Sequence, residues 1–258
     1  NSILGQKIEC VNVYQPSLRY MIPEDFSSTL IGKRIINIER RGKYLLFQLD
    51  KGHIIAHLGM TGIFKVSSDN TPELEKHDHV QFNLESATLR YNDTRRFGFI
   101  IYTNENPKKH TLIKKLGPEP LTSAFTGEYL HSKLAKKSRA IKTLLMENSI
   151  VVGVGNIYAN EVLHQCKIHP SSKALNLSLE QSDELVTSIK SILKKAIKQG
   201  GTTLKDFKNT SGKPGYFSQQ LKVYGQKGEA CQRCKGIIEV TTIGQRASFY
   251  CKDCQICY

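Results

Sequence analysis

The sequence predicts an α+β chain of three successive parts: a β-rich N-terminal half, a helical middle and a short C-terminal hairpin pinned by cysteines. Three observations carry this. Short runs rich in Val, Ile, Phe and Tyr recur up to about residue 102, separated by Gly, Asp, Asn and Ser. After Pro107 the apolar residues take up helical spacing. Near the end, Cys231-x-x-Cys234 and Cys251-x-x-Cys254 stand sixteen residues apart.

In chain order, strands are expected at residues 8–14, 35–39, 44–49, 53–58, 62–66, 79–84, 87–91 and 98–102. So many closely spaced strands point to a sandwich or a barrel. Leu116-Gly117-Pro118-Glu119-Pro120-Leu121 reads as a linker, because each proline disfavours helix in the residue before it. Residues 143–147 and 157–166 lie in apolar-striped helices. The clearest helix covers residues 179–199. Ser178 and Gln181 form its capping box, Leu185, Ile189, Ile192, Leu193 and Ala196 share its apolar face, and Gly200-Gly201 stop it.

The cysteine spacing suits a structural zinc ion held by Cys231, Cys234, Cys251 and Cys254, each pair supplying two thiolates from one turn. Two disulfides are the alternative. Seven cysteines leave one over, which favours the metal. Cys254-x-x-Cys257 is also a CxxC, but two-and-two spacing selects Cys251 and Cys254. A hairpin this short cannot bury enough apolar surface by itself, so metal binding supplies folding free energy.

Lys and Arg total 37 against 23 Asp and Glu, a formal charge of +14, which points to a polyanionic partner. No apolar run approaches the ~18 residues needed to span a bilayer, and there is no Trp to anchor a surface helix. No membrane partner is expected, and the expected compartment is reducing and intracellular. His77 and His79 alternate as on one strand face, a conceivable metal pair that lacks a third ligand. Gly153-Val154-Gly155-Asn156 precedes a helix, so its backbone N–H groups sit at a positive helix end, an anion cradle. Alone that motif is weak, but Lys136, Lys137, Arg139 and Lys142 lie just upstream.

Residues 151–161, together with Gly200-Gly201-Thr202-Thr203-Leu204-Lys205-Asp206-Phe207 and Gly212-Lys213-Pro214-Gly215-Tyr216-Phe217, resemble the bacterial formamidopyrimidine-DNA glycosylases. So do Arg40-Arg41-Gly42-Lys43-Tyr44, His57-Leu58-Gly59-Met60-Thr61-Gly62, Lys76-His77-Asp78-His79, Arg95-Arg96-Phe97-Gly98, the 116–121 segment and the cysteine hairpin, all in family order. The resemblance implies an N-terminal β-sandwich over 1–115 that lacks its opening helix. It implies a helix–two-turn–helix domain with a lesion-capping loop (residues 209–217) over 116–220, and a zinc-finger hairpin over 221–258. DNA would lie in the cleft between the lobes of a monomeric, cytoplasmic, nucleoid-associated protein.

The implied activity is excision of oxidised purines, 8-oxoguanine and formamidopyrimidines, from double-stranded DNA, with β,δ-elimination at the abasic site. The damaged nucleotide must leave the stack and the gap must be filled. Met60, Arg95 and Phe97 match the family's gap-filling groups, with Arg95 reading the orphaned cytosine. Lys43 matches a proton donor near the lesion, and Arg246 a phosphate grip linked to the second elimination. His77, Arg139, Lys142 and Asn156 match DNA-backbone contacts. The family's nucleophile is an N-terminal proline followed by glutamate, whereas this chain opens Asn1-Ser2, so a Pro-Glu segment is expected to precede it. Ser138 also departs, standing where relatives often carry a basic residue. Two other readings stay open: an endonuclease VIII-like enzyme acting on oxidised pyrimidines, and a damaged-DNA-binding module without chemistry.

Overall fold

Two four-stranded antiparallel sheets make the N-terminal unit. The computed structural model describes residues 2–68, 73–200 and 220–258. The lesion-capping loop and the 201–207 motif lie outside the described residues. The first sheet runs β1 (Ile8–Val13), β6 (Asp78–Leu84), β7 (Thr88–Asn92), β5 (Ile63–Ser67). The second runs β2 (Ile35–Arg41), β3 (Tyr44–Leu49), β4 (His53–His57), β8 (Phe99–Thr103). Of the sandwich and barrel that strand spacing left open, the chain adopts the sandwich. All eight strands fall where the β-branched and aromatic runs place them, because alternation and turn residues are local properties. The inner faces bury Ile8, Val80, Phe82 and Leu89 from one sheet and Ile35, Phe47, Ile54 and Ile100 from the other. Phe47 and Phe64 meet edge-to-face at 5.4 Å. Each such side chain contributes roughly 1.5–3 kcal/mol by burial. A short helix, α1 (Phe26–Leu30), packs Phe26 on Phe82 with ring centroids 6.4 Å apart.

The second unit begins at Lys115. It holds helices α2 (Gly127–Leu134), α3 (Ile141–Leu145), α4 (Asn156–Gln165) and α5 (Leu179–Lys198), then the hairpin β9 (Ile238–Ile243) and β10 (Arg246–Cys251). The capping box of α5 forms as expected: Gln181 N donates to Ser178 Oγ at 3.2 Å and Ser178 N to Gln181 Oε1 at 2.8 Å. Its stripe, Leu185, Ile189, Ile192, Leu193 and Ala196, is buried against Leu130, Leu144, Val162 and Leu163. No helix among the described residues is long and apolar enough to cross a membrane.

Two local expectations change. The 116–121 segment packs into the second unit instead of running free. Gly117 N donates to Asn148 O at 2.7 Å and Val152 N to Pro118 O at 3.3 Å. It thereby braces the loop that enters α4. His77 lies ahead of β6 with a left-handed φ of 77°, so it does not alternate with His79 on one strand face.

Candidate nucleic-acid interface

In the sandwich, two loops present the expected gap-filling groups. Met60 follows β4 and is 63% exposed, and Phe97 precedes β8 and is 47% exposed. Exposure alone is ordinary, since Met21 is 67% exposed; what sets this pair apart is the arginine beside it and the interlocking of the two loops. The Arg95 guanidinium lies 4.7 Å from the Phe97 ring centre. The loops touch through backbone. A Cβ on Gly59, whose φ is +61°, would come 2.6 Å from Gly98 N, and one on Gly98 would collide with the Tyr91 hydroxyl and the His57 carbonyl. Only glycine permits this approach.

Beneath the loops lies Asp93, fully buried. Thr61 Oγ1 donates to its Oδ1 at 2.5 Å, and Tyr91 OH and Gly98 N donate to Oδ2 at 3.0 and 2.9 Å. Arg95 N donates to Oδ1 at 3.2 Å. Burial pushes the Asp93 carboxyl up, but the donors from Thr61, Gly98, Tyr91 and Arg95 outweigh it and hold it below the ordinary carboxylate value. Its backbone N donates to His77 O at 3.1 Å, and His79 Nε2 meets its carbonyl at 2.7 Å. His79 is thus engaged by backbone, and the only group of three or more potential metal ligands among the described residues is the cysteine set.

Lys43 is exposed at the two-residue turn between β2 and β3, after Gly42. His57 lies nearby. Burial lowers its pKa, and the charges of Lys43 and Arg19 lower it further. The neutral ring accepts the Gly59 N–H at Nδ1, 2.9 Å away, and stacks on Phe99 at 5.5 Å. The sequence reading missed both Asp93 and His57. Asp93 stands beside Arg95 in an Asn-Asp-Thr turn, the one local signal of its importance.

In the second unit, α4 carries a polar stripe at residues 156, 160 and 164, each one helical turn from the next, with Glu161 alongside. All of it engages the C-terminal segment. Asn156 Nδ2 donates to Ala247 O at 3.1 Å, and Phe249 N donates to Asn160 Oδ1 at 2.7 Å. The Glu161 carboxylate accepts from the backbone N of Lys222, Val223 and Tyr224 at 2.9–3.0 Å. Arg233 donates to the carbonyls of His164 and Gln165 at 3.1 Å each, capping the helix end.

At the other end of α4, Gly155 is the N-cap and no side chain caps the helix. Space is open around Gly153 and Gly155, with no atom within 4 Å of a Cβ built on either. Asn156 Oδ1 is buried without a hydrogen-bond partner. A helix start with no side-chain cap and a positive dipole end suits an anion; the unpartnered Asn156 Oδ1, an acceptor, would instead meet a donor. Arg246 is exposed at the hairpin tip, after a turn whose two residues, Gly244 and Gln245, both have positive φ (56° and 60°).

Lys142 differs from expectation. It is fully buried, and its ammonium donates to Ala247 O at 2.8 Å and Ser248 Oγ at 2.6 Å. The lysine matched to a DNA-backbone contact is, in this structure, a strut under the hairpin. Burial, with Arg246 beside it, lowers its pKa to about 8. Arg139 is exposed and pairs with Glu147. Asn156 and Lys142 thus converge on one carbonyl, that of Ala247, the residue after Arg246.

The four thiols of Cys231, Cys234, Cys251 and Cys254 lie within 4.8 Å of one another. Cys231–Cys254 and Cys234–Cys251 are 3.9 and 3.4 Å apart, too far for disulfide bonds. Tetrahedral zinc with Zn–S near ~2.3 Å separates its sulfurs by about 3.8 Å, so the set fits one zinc ion. Burial raises the Cys231 thiol, but the N–H groups of Arg233 and Cys234 outweigh this and bring it to about 7, whereas burial and the neighbouring thiols push Cys251 and Cys254 up. His164 Nε2 lies 3.4 Å from Cys231 Sγ, a contact that ties the cluster to α4. Cys257 is exposed outside the set.

Three family models match the chain: the formamidopyrimidine-DNA glycosylase N-terminal domain over residues 1–100, its H2TH domain over 116–208, and the zinc finger found in FPG and IleRS over 228–256. The formamidopyrimidine-DNA glycosylase of Shewanella halifaxensis is 49% identical, covering 98% of this chain and 93% of its own. That of Haemophilus influenzae is 51% identical, with 96% and 91% covered. Among solved structures, a Lactococcus lactis FPG variant bound to Fapy-dG containing DNA superposes with a TM-score of 0.87 at 36% identity, covering 98% of this chain and 93% of that one. MutM in complex with carbocyclic 8-oxo-G containing DNA gives 0.86 at 37% identity, with the same coverage.

Proposed function

The chain belongs to the formamidopyrimidine-DNA glycosylase family, and we propose from this that it removes oxidised purines from duplex DNA and cleaves the abasic site. The observation that carries the reading on this chain's own residues is the exposed Met60–Arg95–Phe97 group on two interlocked loops. Once a base is flipped out, the stack needs apolar filler and the orphaned base needs a planar donor. Met60 and Phe97 supply the filler, and Arg95 the donor.

Asn156 and the open Gly153–Gly155 turn receive a phosphate at the start of α4, and Arg246 grips a second from the hairpin tip. Arg139 and His77 add backbone contacts. Lys43, exposed at its turn, moves a proton at the lesion. Zinc, when bound, acts structurally, fixing the hairpin that presents Arg246. We place the protein with the chromosome in the bacterial cytoplasm. The resemblance assigns the covalent attack to an N-terminal proline and the glutamate after it, and positions 1 and 2 here are Asn and Ser. The test uses protein that begins with that proline and glutamate.

That protein should cut a duplex at 8-oxoguanine opposite cytosine, leaving a one-nucleotide gap with phosphates on both ends, and should be trapped on the DNA by borohydride. Cutting confined to oxidised pyrimidines would favour the endonuclease VIII-like reading. Tight lesion binding without cutting or trapping would favour the binding module.

A further inference from the structure

We infer that Asp93 is the positioning residue that holds the gap-filling groups in their inserting geometry, an inference that rests on the reading of Met60, Arg95 and Phe97 given above. Three separate segments meet at this residue, two of them at its side chain. Thr61 belongs to the loop that carries Met60, and its hydroxyl reaches Asp93 at 2.5 Å. Arg95 and Gly98 flank Phe97, and their backbone N–H groups reach the carboxylate at 3.2 and 2.9 Å. The third segment carries His77, whose carbonyl accepts the Asp93 N–H at 3.1 Å.

A fully buried carboxylate needs donors in place of water, and Asp93 has two for each oxygen. No cation is among these four donors. Two are hydroxyls, of Thr61 and Tyr91, and two are backbone N–H groups inside the turn that presents Arg95 and Phe97. The carboxylate therefore fixes the path of the turn, with Arg96 held at a φ of 54° within it. The Gly59–Gly98 approach locks the same two loops from above. An apolar residue could fill this volume but would leave four donors unmatched. An asparagine would put an NH2 group against donors already in place.

The functional consequence follows from preorganisation. Side chains that must displace a stacked base act best when their backbone needs no further ordering on insertion. Loosening the turn lowers the share of complexes in which the gap is filled, while leaving contacts to the phosphates alone.

The experiment compares Asp93→Asn with the parent on a duplex holding an uncleavable tetrahydrofuran abasic analogue opposite cytosine. A 2-aminopurine beside the analogue reports, by its fluorescence, whether the stack has been entered. Asp93→Asn should lower the preference for analogue-bearing over undamaged duplex by about tenfold, the size expected when a charge-assisted hydrogen bond is lost. The 2-aminopurine signal should fall toward that of Met60→Ala, with affinity for undamaged duplex and zinc content unchanged. A parent-like signal and preference in folded Asp93→Asn would overturn the inference, whatever its melting temperature. Should that variant not fold, Thr61→Val and Tyr91→Phe each remove one donor, and both must weaken insertion. If Met60→Ala and Arg95→Ala also leave the signal at the parent value, the gap-filling reading itself fails, and the inference with it.

Discussion

A lysine taken fully out of water keeps its charge only if acceptors replace the solvent, and Lys142 has two, Ala247 O and Ser248 Oγ. Even so, its pKa falls from 10.5 to about 8. Below about pH 8 both folded and unfolded chains carry the proton, and the folded chain bears the whole desolvation cost. Between about 8 and 10.5 the unfolded chain holds the extra proton, so folding stability rises with pH across that window. Relative to Lys142→Met, the zinc-loaded parent should gain up to about 3 kcal/mol between pH 7.5 and 10.5 in urea melts. Parallel pH profiles for the two proteins would contradict this. Arg95 is the opposite case, an exposed guanidinium over the Phe97 ring whose backbone N–H is held by Asp93. Arg95→Ala should erode the preference for cytosine over adenine opposite the lesion by roughly 1–3 kcal/mol, about 5- to 150-fold in kcat/KM. An unchanged ratio would remove Arg95 from base reading. At this scale the sequence is least legible. Lys142 looks like its neighbours Lys136 and Lys137, because the groups that bury it lie over a hundred residues away. Asp93 likewise meets Thr61 across 32 residues, a closure no local pattern encodes.

Among the elements, α4 shows what local pattern can and cannot reveal. Its apolar spacing marks a helix, but the same spacing says nothing about which polar residues will be buried on it. Asn160, fully buried, holds the Phe249 N–H at 2.7 Å. Asn160→Ala would orphan that donor and should cost about 1–3 kcal/mol, read as a lower midpoint in urea. The strands and α5 were legible because β-branched runs, turn residues and a capping box are short-range signals. The helices α1 and α2 were not. The first has five residues, and the second buries only Gly127, Leu130 and Leu134, too short a stripe to stand out from a loop. The cysteine hairpin was legible from spacing, and its contact with His164 was not. Metal analysis should find one zinc per chain, and a strong chelator should abolish duplex binding as β9 and β10 lose order. Retained binding by verified metal-free protein would separate the hairpin from DNA recognition.

For the molecule as a whole, a formal charge of +14 means that affinity for DNA must fall steeply as salt rises. Within that field each residue touching phosphate carries a countable share. Arg246→Ala should weaken binding to every duplex and lower the slope of log K against log salt by about one. A loss restricted to lesion-bearing duplexes would assign Arg246 to the lesion instead. The charge balance and the order of strands, helices and hairpin could be read from the chain. The pairing of α4 with the last thirty-odd residues could not, since it joins segments 61–91 residues apart and depends on tertiary closure.

That pairing sets an order in time. On the ribosome, α4 emerges before the cysteines, the Ala247 carbonyl and the Phe249 N–H exist to meet it. Until then Asn160, Glu161, His164 and the Lys142 ammonium have no interior to enter, and the helical unit can assemble only its apolar half. The sandwich, whose strands all precede Lys115, has no such wait. The two halves therefore mature on different clocks: one closes when its own strands are complete, the other only when the final residues and a metal ion arrive together.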